Sequence, residues 1–391
     1  MFKGVAVATN GKIHIPISKN RPVKILLTPD KFKGSLSARE VCDALAKGIL
    51  QTRPPAEILT KPMADGGDGS LAVLEHYFEL RTVEKQVRDP LGRPLDAHYK
   101  RSGNRAFVEL AVASGLTLLQ PDERKPLRTS SYGTGDLITD ALQRGATEVL
   151  LFIGGSATND GGTGIAHALG YRFRDAVGQP LEPTGENLAA IAEIDARARC
   201  FDPSKVRIRV ICDVDNPLYG PQGAAHVYAR QKGATAGQIE HLDAGLIQFS
   251  RRLIEHGYPD ISKLPGAGAA GGIGGGAVAL LNAELRSGID TFLEITDLET
   301  AVQSCDLVIT GEGRLDRQTE RGKVVSGVCQ LARRHDKPVI AVCGDVELPL
   351  SSELGIARVY SVLERSASLE EAMERAGERL VEIGREIGRV G

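Results

Sequence analysis

Repeatedly along this chain, a short apolar run gives way to a polar loop rich in glycine and carboxylates, and the loop to a helical pattern. Val23 to Thr28 leads through Pro29–Gly34 to Ser37, where Glu40 three residues on completes a capping box. Val41, Ala44, Leu45, Gly48 and Ile49 then fall at helical spacing. Ile58–Thr60 leads into Met63–Ser70 and a helical stretch from Leu71 to Phe78. Asp306–Thr310 leads into Gly311–Asp316 and a helix from about Val324, and Pro338–Cys343 reads as one more strand, ending at Gly344 and Asp345. Continuously apolar strands alternating with helices predict a parallel sheet with both faces covered, and so an α/β fold.

The middle of the chain follows another pattern. Segments 81–88 and 95–101 are strands of mixed polarity joined by the turn Asp89-Pro-Leu-Gly-Arg-Pro94, with Ala106–Leu110 a third strand beside them. The expected architecture is two domains. A discontinuous parallel-sheet domain of Rossmann or flavodoxin type comes from 23–80 and 290–391, and a mixed α/β domain, 81–289, is inserted into it. Residues 1–22 precede the ordered pattern and read as an extra arm or a start site placed too early. The last helix, Leu369 to Val390, has apolar residues at alternating spacings of four and three. With fewer than three heptads it reads as the closing helix of the α/β domain, and a coiled-coil homodimer is the alternative.

Composition removes several function classes. The 48 basic and 50 acidic side chains nearly cancel, so no nucleic-acid or membrane-surface partner is expected. The six cysteines form no C-x-x-C pair and the eight histidines no zinc spacing. No secretory segment is visible, and no run approaches the roughly 18 apolar residues of a spanning helix. These features predict a soluble cytoplasmic protein. Glycine, at 45 residues, lies well above the roughly 7% of average usage and is clustered in short runs.

In an open parallel sheet, ligands bind outside the carboxyl ends of the strands. Asp30, Asp65, Asp68, Glu312, Asp316 and Asp345 all follow predicted strands, a rim suited to magnesium held by a few carboxylates and substrate phosphates. The densest loop runs from Phe152 to Gly164, and five glycines lie between Gly154 and Gly164. Its backbone N–H groups, with donors from Ser156, Thr158 and Asn159, suit an anion. Gly266–Gly271 matches G-x-G-x-x-G, but Ser262-Lys-Leu-Pro265 stands where the dinucleotide fingerprint needs a strand. No G-x-x-x-x-G-K-[ST] is present, so P-loop chemistry is excluded. Asp213 and Asp215 lie on one side of an extended segment and read either as magnesium ligands or as a turn cap.

Taken in order, the loops Pro29–Ser37, Ala64–Gly69, Ser131–Gly135, Gly154–Gly162, Cys212–Leu218, Pro265–Gly272, Leu281–Gly288 and Gly311–Asp316 resemble those of the bacterial type 1 glycerate kinases. The resemblance runs from about Lys24 to Asp345. It implies ATP-dependent phosphorylation of D-glycerate at the 2-hydroxyl, magnesium as helper, and two α/β domains with the site in the cleft between them. Lys31 departs from the small residue usual in that family, and Tyr228–Gly233 departs from its Phe-Gly-Pro-Gln-Lys-Gly.

On this reading Asp65 or Asp316 takes the hydroxyl proton, and Lys31, Arg314 or Lys323 offsets phosphoryl charge. Gly66, Gly67, Asp68, Gly311 and Glu312 bind substrate or phosphate. Gly154, Gly155, Ser156, Thr158, Asn159 and Asp160 hold either ATP phosphate or the glycerate carboxylate. Magnesium bridges phosphate to Asp213, Asp215 or a rim carboxylate. The alternatives are a kinase of another small hydroxy acid, a 3-phosphoglycerate-forming glycerate kinase, an NAD(P)-linked dehydrogenase and a non-catalytic binder.

Overall fold

Burial of the first apolar run on both faces demands strands along both of its edges. In the computed structural model the chain supplies them from opposite ends. The structure describes residues 21–67, 69–316, 319, 323–347 and 350–390. One unit is drawn from the chain up to Tyr77 and again from Ser287 onward, and the other runs from Phe78 to Arg286. The leading segment gives β1 (Lys24–Leu27) and β2 (Glu57–Thr60). The middle gives β3 (Arg81–Arg88), β4 (Pro94–Ser102), β5 (Arg105–Glu109), β6 (Glu148–Phe152), β7 (Arg172–Arg174), β8 (Glu193–Asp195), β9 (Arg207–Ile211) and β10 (Glu284–Arg286). The closing segment gives β11 (Leu307–Leu315), β12 (Val339–Val346) and β13 (Ile356–Ser361).

The first unit's sheet has the order β13-β12-β11-β1-β2, with every pair parallel. The chain leaves β1 toward β2 on one side and returns to β11 on the other. The junction of β1 and β11 is therefore the topological switch point, where such sheets bind ligands. The helix Ala38–Thr52 begins at the expected capping box, Ser37 with Glu40. It packs on the helix Ala376–Gly388 at glycines: a Cβ on Gly48 would lie 2.1 Å from the Val381 carbonyl oxygen. Leu380, Ile383 and Ile387 share a buried core with Val41, Leu45 and Ile49, so this last helix closes the α/β unit.

Three elements differ from expectation. The closing helix is broken at Arg375 into Leu369–Glu374 and Ala376–Gly388, leaving Leu369 and Met373 exposed. The helix predicted for Leu71–Phe78 is only Ser70–Leu74. Gly311 to Leu315 is strand instead of loop, because β11 stays paired with β12 as far as Leu315 and Val346. There Gly311 permits close strand approach, since a Cβ would lie 1.8 Å from the Val342 carbonyl oxygen.

The second unit's main sheet has the order β10-β9-β6-β5-β4-β3. β3, β4 and β5 pair antiparallel, β3 meeting β4 through the Asp89–Arg93 turn, while β5, β6, β9 and β10 run parallel. The Asp89 carboxylate accepts from the Leu91 and Arg93 N–H groups and fixes that turn. A separate two-stranded ribbon pairs β7 with β8. Val149 and Leu151 of β6 enter the core, and the glycine-rich loop starts where β6 ends.

Candidate functional site

At the switch point of the first unit, β1 and β11 run on past their apolar parts. Thr28 N–H donates to the Ile309 carbonyl and Asp30 N–H to the Gly311 carbonyl, each at 2.8 Å. This zipper carries Asp30 alongside Glu312, both 8% exposed. Asp65 follows β2, and its Oδ1 accepts the Gly67 N–H at 3.0 Å. Its backbone lies so close to Gly288 that a Cβ there would sit 1.6 Å from the Asp65 carbonyl oxygen.

These carboxylates press on one another. Burial, reinforced by the Asp65 charge, pushes Asp30 up to about 7, against the opposing Lys31 N–H that donates to its Oδ1. Glu312 is also pushed up, chiefly by burial and then by Asp65 and Asp316. Thr319 Oγ1 donates to Glu312 Oε1 at 2.7 Å, and Lys323 Nζ stands 4.0 Å from the other oxygen.

The remaining predicted residues of this unit are nearby in the chain but differently engaged. Asp316 N–H donates to Thr319 Oγ1 at 3.1 Å. Arg314 is exposed and lies among acids, with Glu347 at 3.0 Å, Asp316 at 3.9 Å and Asp345 at 4.0 Å. Lys31 Nζ lies against Gly69, where a Cβ would be 3.4 Å away. Gly66 and Gly67 form the bend after Asp65, and Asp68 lies outside the described residues, as do residues 1–20 of the N-terminal arm.

In the second unit the loop after β6 is split in two by burial. Gly154 and Gly155 are exposed, whereas everything from Ser156 to Thr163 is buried. The Gly155 carbonyl accepts from Leu116 N–H and the Ala157 carbonyl from Thr129 Oγ1. Among the described residues no protein acceptor meets the backbone N–H groups of Gly154, Gly155 and Ser156, the condition for an anion-binding nest.

The predicted donors beyond Ser156 turn inward. Asp160 is fully buried, and its carboxylate accepts from Ser131 N–H and Oγ, Gly162 N–H and Gly164 N–H. Burial pushes it up while these donors oppose the shift. It therefore ties together the starts of the helices Tyr132–Gln143 and Thr163–Ala168. Thr158 Oγ1 and both amide atoms of Asn159 are buried without a protein hydrogen-bond partner.

Two residues carry more than sequence reasoning assigns them. In the sequence Asp30 is one rim carboxylate among several, with only its place after the first strand to mark it. Lys232 belongs to no motif of its own, although it stands in the Tyr228–Gly233 stretch. It is 2% exposed, and its Nζ donates to Ser156 Oγ at 2.7 Å and to the Thr158 carbonyl at 2.6 Å. Burial pushes this lysine down to about 7, with Asp160 opposing.

Asp213 and Asp215 are exposed after β9, and they belong to a different unit from Asp65 and Glu312. The Gly266–Gly276 glycines serve packing. A Cβ on Gly271 would lie 2.1 Å from the Thr158 carbonyl oxygen, and one on Gly276 1.9 Å from that of Gly161. The other two glycines of the dinucleotide-like motif, Gly266 and Gly268, face the 212–217 segment, where a Cβ on Gly268 would lie 2.2 Å from the Pro217 carbonyl oxygen, so close packing against two neighbouring loops accounts for the motif.

A parallel sheet with clustered carboxylates at its switch point, and a mixed sheet ending in a glycine-rich loop, place the chain among the two-unit α/β enzymes. The sequence profile described as the glycerate kinase family matches residues 25–391, and the chain belongs to that family. It is 42% identical to a glycerate kinase of Halalkalibacterium halodurans over 93% of this chain and 97% of the relative. To the glycerate 2-kinase of Escherichia coli it is 40% identical, with the same coverage. A crystal structure of a Salmonella typhimurium protein described as glycerate kinase 2 superposes with a TM-score of 0.85 at 41% identity, covering 94% of this chain and 98% of that one.

Proposed function

We propose that this enzyme transfers the terminal phosphoryl group of ATP to the 2-hydroxyl of D-glycerate, giving 2-phosphoglycerate and ADP. Family membership supports the reaction, and similarity to a glycerate 2-kinase supports the choice of hydroxyl. The observation that carries the chemistry is the buried carboxylate group at the β1–β11 switch point. Phosphoryl transfer needs an acceptor for the hydroxyl proton and charge neutralisation around an in-line displacement. A proton acceptor works best with an affinity near the operating pH, and Asp30, raised to about 7 beside Asp65, meets that condition. We assign proton acceptance to this coupled pair, with Asp65 the more exposed member. Lys31 and Lys323 offset charge on the transferred group, and the Gly154–Ser156 nest holds an oxyanion of one substrate.

Among the described residues no three His, Cys, Asp or Glu side chains converge to cage a metal ion. Exposed Asp213 and Asp215 fit the looser arrangement usual for magnesium, one or two carboxylates completed by phosphates and water. Magnesium held there would supply further neutralisation of phosphate charge. Six free cysteines are in keeping with a cytoplasmic location.

The test is ATP consumption with D-glycerate, followed by phosphorus NMR of the product. ADP release together with a 2-phosphoglycerate signal is the expected result. A 3-phosphoglycerate signal would overturn the regiochemistry. No glycerate-dependent ADP release, with turnover of another hydroxy acid, would overturn the substrate.

A further inference from the structure

Lys232 is a buried cation whose hydrogen-bond partners among the described residues are two neutral oxygens, Ser156 Oγ and the Thr158 carbonyl. Ser156 Oγ is therefore already an acceptor, so its own proton is available to point elsewhere. Ser156 is also the buried residue next to exposed Gly154 and Gly155, whose N–H groups have no protein acceptor among the described residues. A hydroxyl that accepts from an ammonium becomes a stronger donor, since hydrogen bonds in a chain polarise one another. Thr158 and Asn159 leave three more buried polar atoms of the same loop without a protein partner.

We propose that Lys232 is a positioning residue: its ammonium holds the Ser156 hydroxyl as a donor, so that Ser156 and the Gly154–Gly155 backbone bind an oxyanion of a substrate. This rests on the reading of that loop as the oxyanion holder. The ligand chemistry is a carboxylate or phosphate oxygen, which glycerate or ATP could supply. The charged group that acts on Lys232 from the surrounding elements is Asp160, and its carboxylate is already engaged by four donors. The ammonium is present below pH 7 and is lost as pH rises through about 7. A neutral amine would accept from Ser156 and turn its proton inward.

The experiment measures KM for D-glycerate and for ATP, together with kcat, in wild type, Lys232→Met, Lys232→Arg, Ser156→Ala and the Lys232→Met/Ser156→Ala double variant. Loss of one charge-assisted donor is expected to raise one KM about tenfold or more. Whichever KM moves identifies the source of the oxyanion. Lys232→Arg is expected to recover part of the loss, and the double variant to be no worse than the worse single one. In wild type the affected KM rises above about pH 7, and in Ser156→Ala that rise is flattened. Should Lys232→Met fail to fold, Ser156→Ala and the two pH profiles decide alone. Unchanged KM values in folded Lys232→Met, or an unaltered pH profile in Ser156→Ala, would sink the inference while wild-type activity upholds the kinase reading. A wild type inactive on ATP and glycerate would defeat that reading first.

Discussion

The two units bury charge in opposite ways. In the second, Asp160 is wholly enclosed, and four N–H or O–H donors meet its two oxygens. In the first, Asp30 and Glu312 are nearly as enclosed, yet Asp65 and Asp316 add like charge around them. An enclosed carboxylate ringed by donors holds a fold together. Enclosed carboxylates facing other carboxylates destabilise it, and such an arrangement is expected where a ligand, a proton or a cation completes the set.

The contrast is open to direct attack. Asp65→Asn keeps shape and removes a proton acceptor, so turnover should fall about 100- to 10,000-fold with thermal stability little changed. Near-normal turnover would move the chemistry elsewhere. Asp160→Ala strands several buried N–H groups, so it should cost about 3–5 kcal/mol by denaturant unfolding. If it proves mild, Asp160 is not the structural tie described.

Asp30→Asn tests the opposite sign. The folded state holds the Asp30 proton up to about pH 7, whereas an unfolded aspartate releases it near about pH 4. The penalty for enclosing the carboxylate is therefore absent at low pH and grows as pH climbs through that window. The substitution should stabilise the protein by roughly 2–4 kcal/mol at pH 8 and hardly at all at pH 4, while lowering turnover. Equal stability of the two proteins at pH 8 would show that Asp30 is better compensated than the geometry indicates. Thr319→Val removes one donor from Glu312 and should cost about 1 kcal/mol, the smallest of these effects.

Much of this architecture was legible because local rules and tertiary structure agreed. The capping box at Ser37, the apolar β1 run and the Asp89–Arg93 turn each have a short-range cause that survives in the fold. The misreadings trace mostly to glycine, which serves two purposes. Gly311 in β11 looks like a loop residue, but it stands there because a neighbouring backbone leaves no room for a Cβ. The glycines from Gly266 to Gly276 mimic a nucleotide fingerprint for the same reason. Burial was the other hidden variable. Thr158 and Asn159 read as ligand donors along with Ser156, and Asp160 as part of the same anion-holding loop, and only the fold shows that exposure ends at Gly155. Lys232 lies 76 residues from Ser156, and no spacing rule spans that distance.

The sheet of the first unit joins β1 to a strand made long afterwards, as the 282-residue separation between Thr28 and Thr310 shows. During synthesis the second unit emerges whole and can fold while β1 and β2 still wait for β11. The apolar β1 run must then remain unpaired along one edge through most of translation, a state open to wrong pairings. Such late completion of its sheet lengthens the time over which this protein is open to misfolding. It also makes its C-terminal third the part whose truncation should do most harm to a segment near the beginning of the chain.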